Sequence, residues 1–254
     1  MTTAPAAIQS EPGLSGQTVI VIGGSSGIGL ETARRARAAG AGLVLAGRNP
    51  GHLERAATEL GAVGTGALST AAFDAADPAA LERFFQDLPG PIDHVMVTAG
   101  GQYYARLADL DFAKARRALD EHLWLTLHVA RDAAGKVRPG GTLVFMTGTG
   151  ARRPAVGVMI AAIESAALPA ITANLALELA PVRVNLIAAG FVDTPLSASL
   201  LGDDLDKRRD ELRATLPIGR VVGPADVAAL AVHLMTNTAL TGATYDVDGG
   251  EQLV

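Results

Sequence analysis

The chain of 254 residues contains no cysteine, which removes a disulfide framework, a thiolate nucleophile and any zinc site built on sulfur. It has no basic excess either. Lys and Arg number 21 against 26 Asp and Glu, a formal net charge of -5, and no basic block matches a phosphate backbone, so nucleic acid is not an expected partner. No stretch holds the ~18 to 20 uninterrupted apolar residues of a membrane span; residues 155–180 come close before Glu164, Ser165 and Asn174 intervene, and no membrane partner is expected. Residues 1–13 are rich in Ala, Pro and Thr and lack the basic start and apolar centre of a secretory signal. They read as a mobile tail ahead of one domain over residues 14–254, and a cytoplasmic protein is the expectation.

What is present suffices for a large core: 49% hydrophobic residues, 19% charged residues and 29 glycines. Short Val/Ile/Leu runs predict strands at 18–22, 42–46, 67–73, 94–98, 142–147, 183–187 and 244–247. Most lack polar alternation, as parallel strands covered on both faces do. Between them, helical spacing occupies 30–39, 53–60, 78–87, 113–134 and 225–235, with Asp77-Pro78 and Gly223-Pro224 as starts. The alternation predicts an α/β fold, a doubly wound, mostly parallel seven-stranded sheet with helices on both faces.

The first strand runs into Gly23-Gly24-Ser25-Ser26-Gly27-Ile28-Gly29, and a helix follows. A Cβ at Gly23 or Gly29 is expected to obstruct the approach of backbone to a pyrophosphate, while the helix offers unpaired N–H groups to the anion. Strand before, glycine turn, and helix after predict a dinucleotide site. The second strand ends in Gly47-Arg48-Asn49. A carboxylate there would hold the ribose 2′-OH of NAD; an Arg suits a 2′-phosphate, so NADP is expected rather than NAD. A solvated surface charge is the alternative for Arg48.

These residues resemble the short-chain dehydrogenase/reductase family, and the resemblance runs from Leu14 to the C-terminus. It implies that Phe73-Asp74-Ala75 meets the adenine, with Asp74 toward its amino group, and that Thr98-Ala99-Gly100 lies beside the cofactor. Arg183-Val184-Asn185 and Gly190-Phe191-Val192-Asp193-Thr194 are similar to the strand and loop that hold the nicotinamide, with Gly190, Val192 and Thr194 as the contacts. Pro217-Ile218-Gly219-Arg220 and Asp246-Val247-Asp248-Gly249-Gly250 complete the pattern. The family's leading threonine is Ile22 here, Val97 and Thr98 replace two asparagines, and Ala189 replaces a proline.

The resemblance also implies a tyrosine that moves the substrate proton, a lysine four residues later on the same helix face that lowers its pKa, and a serine thirteen residues before the tyrosine. Counting along the fifth strand puts Gly148 in the serine place. Counting back from Leu175-Ala176-Leu177-Glu178 puts Ser165 in the lysine place and Ala161 in the tyrosine place, and the two registers agree. His122 stands where an asparagine is implied. No lysine occurs from 137 to 206 and no tyrosine from 105 to 244.

Three residues are candidate replacements. His122 has a reference pKa of about 6.5, suited to proton transfer near neutrality; a structural histidine is its other reading. Glu164 lies three residues after Ala161, and a carboxyl in this alanine-rich helix would have a raised pKa; a subunit-interface charge is the alternative. Tyr104, with Tyr103, follows the Ala99-Gly100-Gly101 turn and offers a phenol, or merely lines the pocket. His52, His94, His128 and His233 read as structural. Thr147 and Thr149 flank Gly148 on opposite strand faces, so both cannot point inward. Arg152-Arg153 would clamp an anionic substrate or be solvated, and Pro169 should kink its helix or break a backbone bond. No metal site is expected.

The expected function is therefore NADP-dependent oxidation or reduction of a small-molecule carbinol or carbonyl without the usual phenol-ammonium pair. Two alternatives stand beside it: an inactive NADP-binding partner or regulator, and a non-redox lyase or isomerase in the same cleft. A homo-oligomer, dimer or tetramer, is implied by the resemblance.

Overall fold

The computed structural model describes residues 13–254; the expected N-terminal tail, Gly13 apart, lies outside the described residues. Seven parallel strands form one sheet: β1 (Thr18–Ile22), β2 (Gly42–Gly47), β3 (Leu68–Ala72), β4 (Ile92–Val97), β5 (Val137–Gly148), β6 (Arg183–Ala189) and β7 (Thr244–Val247). Their order is β3-β2-β1-β4-β5-β6-β7, every neighbouring pair parallel. The winding reverses between β1 and β4, so the crevice beyond the C-terminal ends of these strands is the place where such a sheet takes a ligand.

Helices α1 (Gly27–Ala38), α2 (Pro50–Gly61), α3 (Pro78–Asp87), α4 (Phe112–Leu119), α5 (Leu125–Ala133), α6 (Met159–Glu178), α7 (Pro195–Leu201), α8 (Leu205–Thr215) and α9 (Pro224–Thr236) connect them. Strand residues alternate between two cores. Ile20 and Ile22 join Phe85 of α3, Val129 of α5 and Leu168 of α6, whereas Val19 and Val21 join Ala33 of α1, Leu53 of α2 and Val227 of α9. Alanines at 33, 36, 228 and 231 are fully buried, and α1 and α9 pack on each other through this small-residue face. Four of the helices begin with Pro. Asn49, Asp77, Asp111 and Thr194 cap their helices with side-chain oxygens, each worth about 1 kcal/mol.

Strand β5 and the helix expected over 113–134 differ from the sequence reading. β5 starts at Val137 rather than 142, because a register shift opposite Ile92–His94 and a left-handed Gly140 (φ 80°) carry the chain past Arg138-Pro139-Gly140-Gly141 without ending the strand. The helix expected over 113–134 is divided by a π-turn at Asp120–Trp124. Helix α6 runs on through Pro169, which removes one backbone bond, one of the two outcomes expected of it, without ending the helix. By length and composition alone α6 would cross a membrane, but here it packs against β5 and β6, with Leu168, Thr172 and Leu175 in the core.

Candidate active site

At the end of β1 the chain turns through Gly23, whose φ of 95° requires glycine. A Cβ on Gly23 would meet Thr98 Oγ1 at 2.5 Å and Ala99 N at 2.7 Å, and one on Gly29 would meet Thr98 Oγ1 at 2.6 Å. These two glycines are therefore demanded by the chain's own packing of the β1–α1 turn against the end of β4. This packing demand is a reason for the two glycines that the sequence did not reveal, and it stands beside the expected close approach to a pyrophosphate. The Thr98 hydroxyl bridges the Ile22 and Gly23 carbonyls at 3.3 and 3.2 Å, the turn-fixing bond that a threonine supplies in place of the implied asparagine.

The first turn of α1 is the part of this crevice suited to an anion. Ser26 caps it in an extended conformation with no side-chain cap bond, and the turn carries no acidic residue. Backbone N–H groups at 27–29 have no acceptor within the helix, and a phosphate suits them. Thr194, on the loop after β6, stands across from them: a Cβ on Gly27 would lie 3.6 Å from its side chain. Ser25 Oγ reaches the end of β2, 3.6 Å from where a Gly47 Cβ would sit. Beside it Arg48 is exposed and has no ion-pair partner among the described residues. Asn49 Oδ1 accepts from His52 N at 3.0 Å and is committed to capping α2, which leaves Arg48 as the group suited to a 2′-phosphate. Past β3, Asp74 is exposed with Oδ1 accepting from Ala76 N at 3.1 Å, and Ala75 is buried behind it. Glycine turn, free helix N-terminus and unpaired guanidinium fit a phosphorylated dinucleotide.

On the other side of the crevice, Ala99 and Gly100 follow β4, and Gly190 to Thr194 follow β6. Gly190 has room for no side chain, because a Cβ would lie 2.5 Å from Glu251 Oε2. Buried Glu251 accepts from Phe191 N at 2.9 Å and from Arg208 Nη2 at 2.7 Å, with Arg153 Nη1 3.5 Å away. Val192 bridges to Val222, and Thr194 caps α7 with Ser197. Sequence reasoning missed Glu251, since nothing local marks a carboxylate near the C-terminus as a junction of three loops.

The three candidates for proton transfer come together. His122 sits inside the π-turn, and such single turns within helices are frequent at functional sites. Its Nδ1 is 3.1 Å from the Ala118 carbonyl, which can only accept, so Nδ1 carries the hydrogen and Nε2 is left as an acceptor. That Nε2 faces Gly100, where a Cβ would come within 2.8 Å, and Gln102 Nε2 at 3.5 Å. Glu164 is 3% exposed; its Oε1 lies 3.6 Å from His122 Nδ1 and has no hydrogen-bond partner. Burial pushes the Glu164 carboxyl up to about 8 and His122 below its ordinary value, so both are uncharged near neutrality. Tyr104, half exposed, donates to Gln102 Oε1 at 3.2 Å, and burial followed by the Glu164 charge raises its pKa. Gln102 thus touches both Tyr104 and His122, a link that the sequence did not reveal.

Gly148 ends β5 with its nearest neighbour 3.8 Å from an added Cβ. Ser165 is buried on α6, accepting from Ala151 N at 2.7 Å and donating to Ala161 O at 2.8 Å. It ties the loop after β5 onto α6, and Gly150 rests on the Ala161 and Ala162 backbone. Of the flanking threonines, Thr147 is buried with its hydroxyl unpartnered, while Thr149 is half-buried in the turn. Arg152 pairs with Asp246 and reaches Gln252 Oε1 at 3.2 Å, so with Arg153 it locks down the C-terminal segment. Neither is free to clamp an anionic substrate. Tyr103 OH accepts from Asp111 N at 2.8 Å, and His94 bonds Gln17 at 2.6 Å; both are structural.

A family model described as "Enoyl-(Acyl carrier protein) reductase" matches residues 22–252. The chain is 30% identical to the short-chain dehydrogenase/reductase ATR9 of Stachybotrys chlorohalonatus, over 94% of this chain and 98% of that one. Among solved structures it resembles the MalC reductase/Diels-Alderase of Malbranchea aurantiaca, with a TM-score of 0.87 and 25% identity over 95% and 98% of the two chains. It also resembles a small-chain dehydrogenase in complex with NADPH, with a TM-score of 0.80 and 27% identity over 94% and 99%. The chain belongs to the short-chain dehydrogenase/reductase family, and its seven-stranded sheet is that of an oxidoreductase of this kind.

Proposed function

We propose that the chain is an NADP(H)-dependent oxidoreductase that interconverts a carbonyl and a carbinol without the phenol-ammonium pair, whose places are taken by Ala161 and Ser165 while Gly148 takes that of the serine. One observation carries the reading: the uncapped, acid-free first turn of α1 stands beside an Arg48 that has no partner of its own. A similar fold is known in complex with NADPH, in keeping with the choice of NADP. Bound NADPH supplies the hydride.

The chain's own residues hold the nucleotide and manage the proton. Backbone N–H groups at 27–29 and Thr194 grip the pyrophosphate; Ser25 and Arg48 take the 2′-phosphate; Asp74 meets the adenine. The exposed Tyr104 hydroxyl presents its proton to the substrate oxygen and the resulting phenolate regains one from solvent; Gln102 holds the Tyr104 hydroxyl and the His122 ring, while Glu164 and His122, both neutral, keep charge away from the cluster. A positioned acid contributes about 10²- to 10⁴-fold, so a cluster less well aligned than a phenol-ammonium pair still leaves hydride transfer workable. We extend the proposal to a cytoplasmic homo-oligomer, dimer or tetramer; the exposed Ile163 and Leu177 on α6 support a self-contact, and light scattering would measure it.

Purified protein titrated with NADPH and then mixed with a panel of carbonyl compounds tests the reading. Binding followed by loss of NADPH absorbance with at least one carbonyl is expected. Tight binding with no turnover points instead to an inactive cofactor-binding partner, and product formed with cofactor omitted points to non-redox chemistry.

A further inference from the structure

Beside the vacated end of β5 lies an open cavity of about 300 Å³. Its walls are Ala105 and Leu107 from the loop after β4, Gly150, Ala151 and the Pro154–Met159 run from the loop after β5, and Ala162 of α6. The two loops are joined above it by the bond from Ala105 N to Gly157 O, 3.0 Å long. Ala105 follows Tyr104 directly and Gly150 lies two residues beyond Gly148, so the cavity is walled by the same two loops that leave the ends of β4 and β5 beside the proposed proton cluster.

Not one lining side chain is polar or charged. The nearest guanidinium groups on the second loop, Arg152 and Arg153, are turned onto Asp246, Gln252 and Glu251. On the first loop, Ala105 and Leu107 line the cavity while Arg106 between them does not, and it points to solvent. An anionic group held against these walls would exchange part of its hydration for apolar contact and meet no fixed positive charge, an unfavourable trade. The size is informative as well. A cavity of roughly 150 Å³ accepts benzene, so this one takes a body of about two fused rings.

Resting on the oxidoreductase reading above, we infer that the substrate is an uncharged ketone or alcohol with a hydrocarbon body of about two rings, seated between Ala105, the Pro154–Met159 run and Ala162. Anionic carbonyl compounds, carboxylates and phosphates alike, are rejected at this cavity.

The test uses the full chain saturated with NADP+, so that no turnover complicates binding, and compares α-tetralone with a carboxy-α-tetralone by calorimetry. The neutral ketone should bind at least about tenfold more tightly. Ala162→Phe, which fills the cavity, should weaken α-tetralone by at least about tenfold while NADPH binding stays unchanged. Val156→Arg, at a residue 75% exposed and tolerant of change, should bring the carboxylate up to the neutral ketone or beyond. Equal or tighter binding of the carboxylate by the unaltered protein overturns the inference, as does α-tetralone affinity untouched by Ala162→Phe in a variant that still binds NADPH. If the chain takes α-tetralone in an Ala162-dependent manner but no NADPH, the cavity assignment stands and the oxidoreductase reading falls.

Discussion

Glu164 offers a quantitative test of the buried cluster. In the fold it titrates at about 8, against an ordinary 4.5, so folding is favoured while the group is protonated in both states. That advantage is full below 4.5 and is lost as pH rises toward 8. A displacement of this size amounts to about 5 kcal/mol at roughly 1.4 kcal/mol per unit. By the same linkage about 2 kcal/mol of it has gone at pH 6 and about 4 kcal/mol at pH 8. Glu164→Gln keeps the shape and cannot ionise. Urea unfolding of both proteins at several pH values should therefore show the variant gaining about 2 kcal/mol on the parent between pH 6 and pH 8, with unchanged m-values. Parallel stability curves would refute the argument, because they mean that Glu164 is solvated or compensated in the native state. The neutral carboxyl assigned beside His122 would then not exist.

Other consequences follow from single contacts. Arg48→Ala should weaken NADPH binding by about 10- to 100-fold, the worth of one charge-assisted contact, with NADH binding little changed; equal losses for both would remove the 2′-phosphate assignment. Gly23→Ala forces a side chain into Thr98 and the Ala99 amide at a left-handed φ of 95°, so it should cost about 1–3 kcal/mol of urea stability and more than Gly27→Ala, whose added carbon meets nothing closer than 3.6 Å. Glu251→Gln should leave Arg208 and the Phe191 amide poorly served, costing about 1–3 kcal/mol and speeding hydrogen exchange in residues 190–194 and 248–252.

The fold was legible because parallel strands buried on both faces are written as short apolar runs, and Thr18–Ile22, Pro78–Asp87 and Thr244–Val247 were bounded to the residue. Where turn chemistry and strand overlap, as in Val137–Gly141, local signals mislead, since the register shift that accommodates the glycines is imposed by β4. Helices α7 and α8 went unread; the polar run Asp206-Lys207-Arg208-Arg209-Asp210-Glu211 is held by ion pairs such as Arg209 with Asp193 rather than by an apolar stripe. In the site, the glycine turn was legible from residue types alone, whereas the lack of an ion-pair partner for Arg48 among the described residues came only from the structure. The reason for the glycines was hidden, because Thr98 lies 75 residues away from Gly23. His122 and Glu164 were singled out separately. Only the packing of the π-turn on α6 sets them 3.6 Å apart, and no sequence pattern encodes Gln102 between His122 and Tyr104.

Placing Ser, Tyr and Lys at positions 148, 161 and 165 tests the proposed scheme as a whole. Gly148→Ser meets no steric barrier, since the nearest atom to the new Cβ is 3.8 Å away. Ser165→Lys is different: it deletes the bond that holds Ala151 N at 2.7 Å and so frees the loop after β5, at a cost of about 1–2 kcal/mol. Ala161→Tyr is the group that gains most from that release, because Gly150 now rests on the Ala161 backbone. The three changes should therefore act together and not singly. If the α1 turn and Arg48 hold NADPH as argued, the triple variant should reduce generic ketones about 10²- to 10⁴-fold faster than the parent, the contribution of a well-placed proton donor. Each single variant should stay near parental activity. A triple variant that folds, binds NADPH as tightly as the parent and gains nothing would show that the hydride face of the cofactor does not open onto this cleft, and the chemistry assigned to it would have to be abandoned.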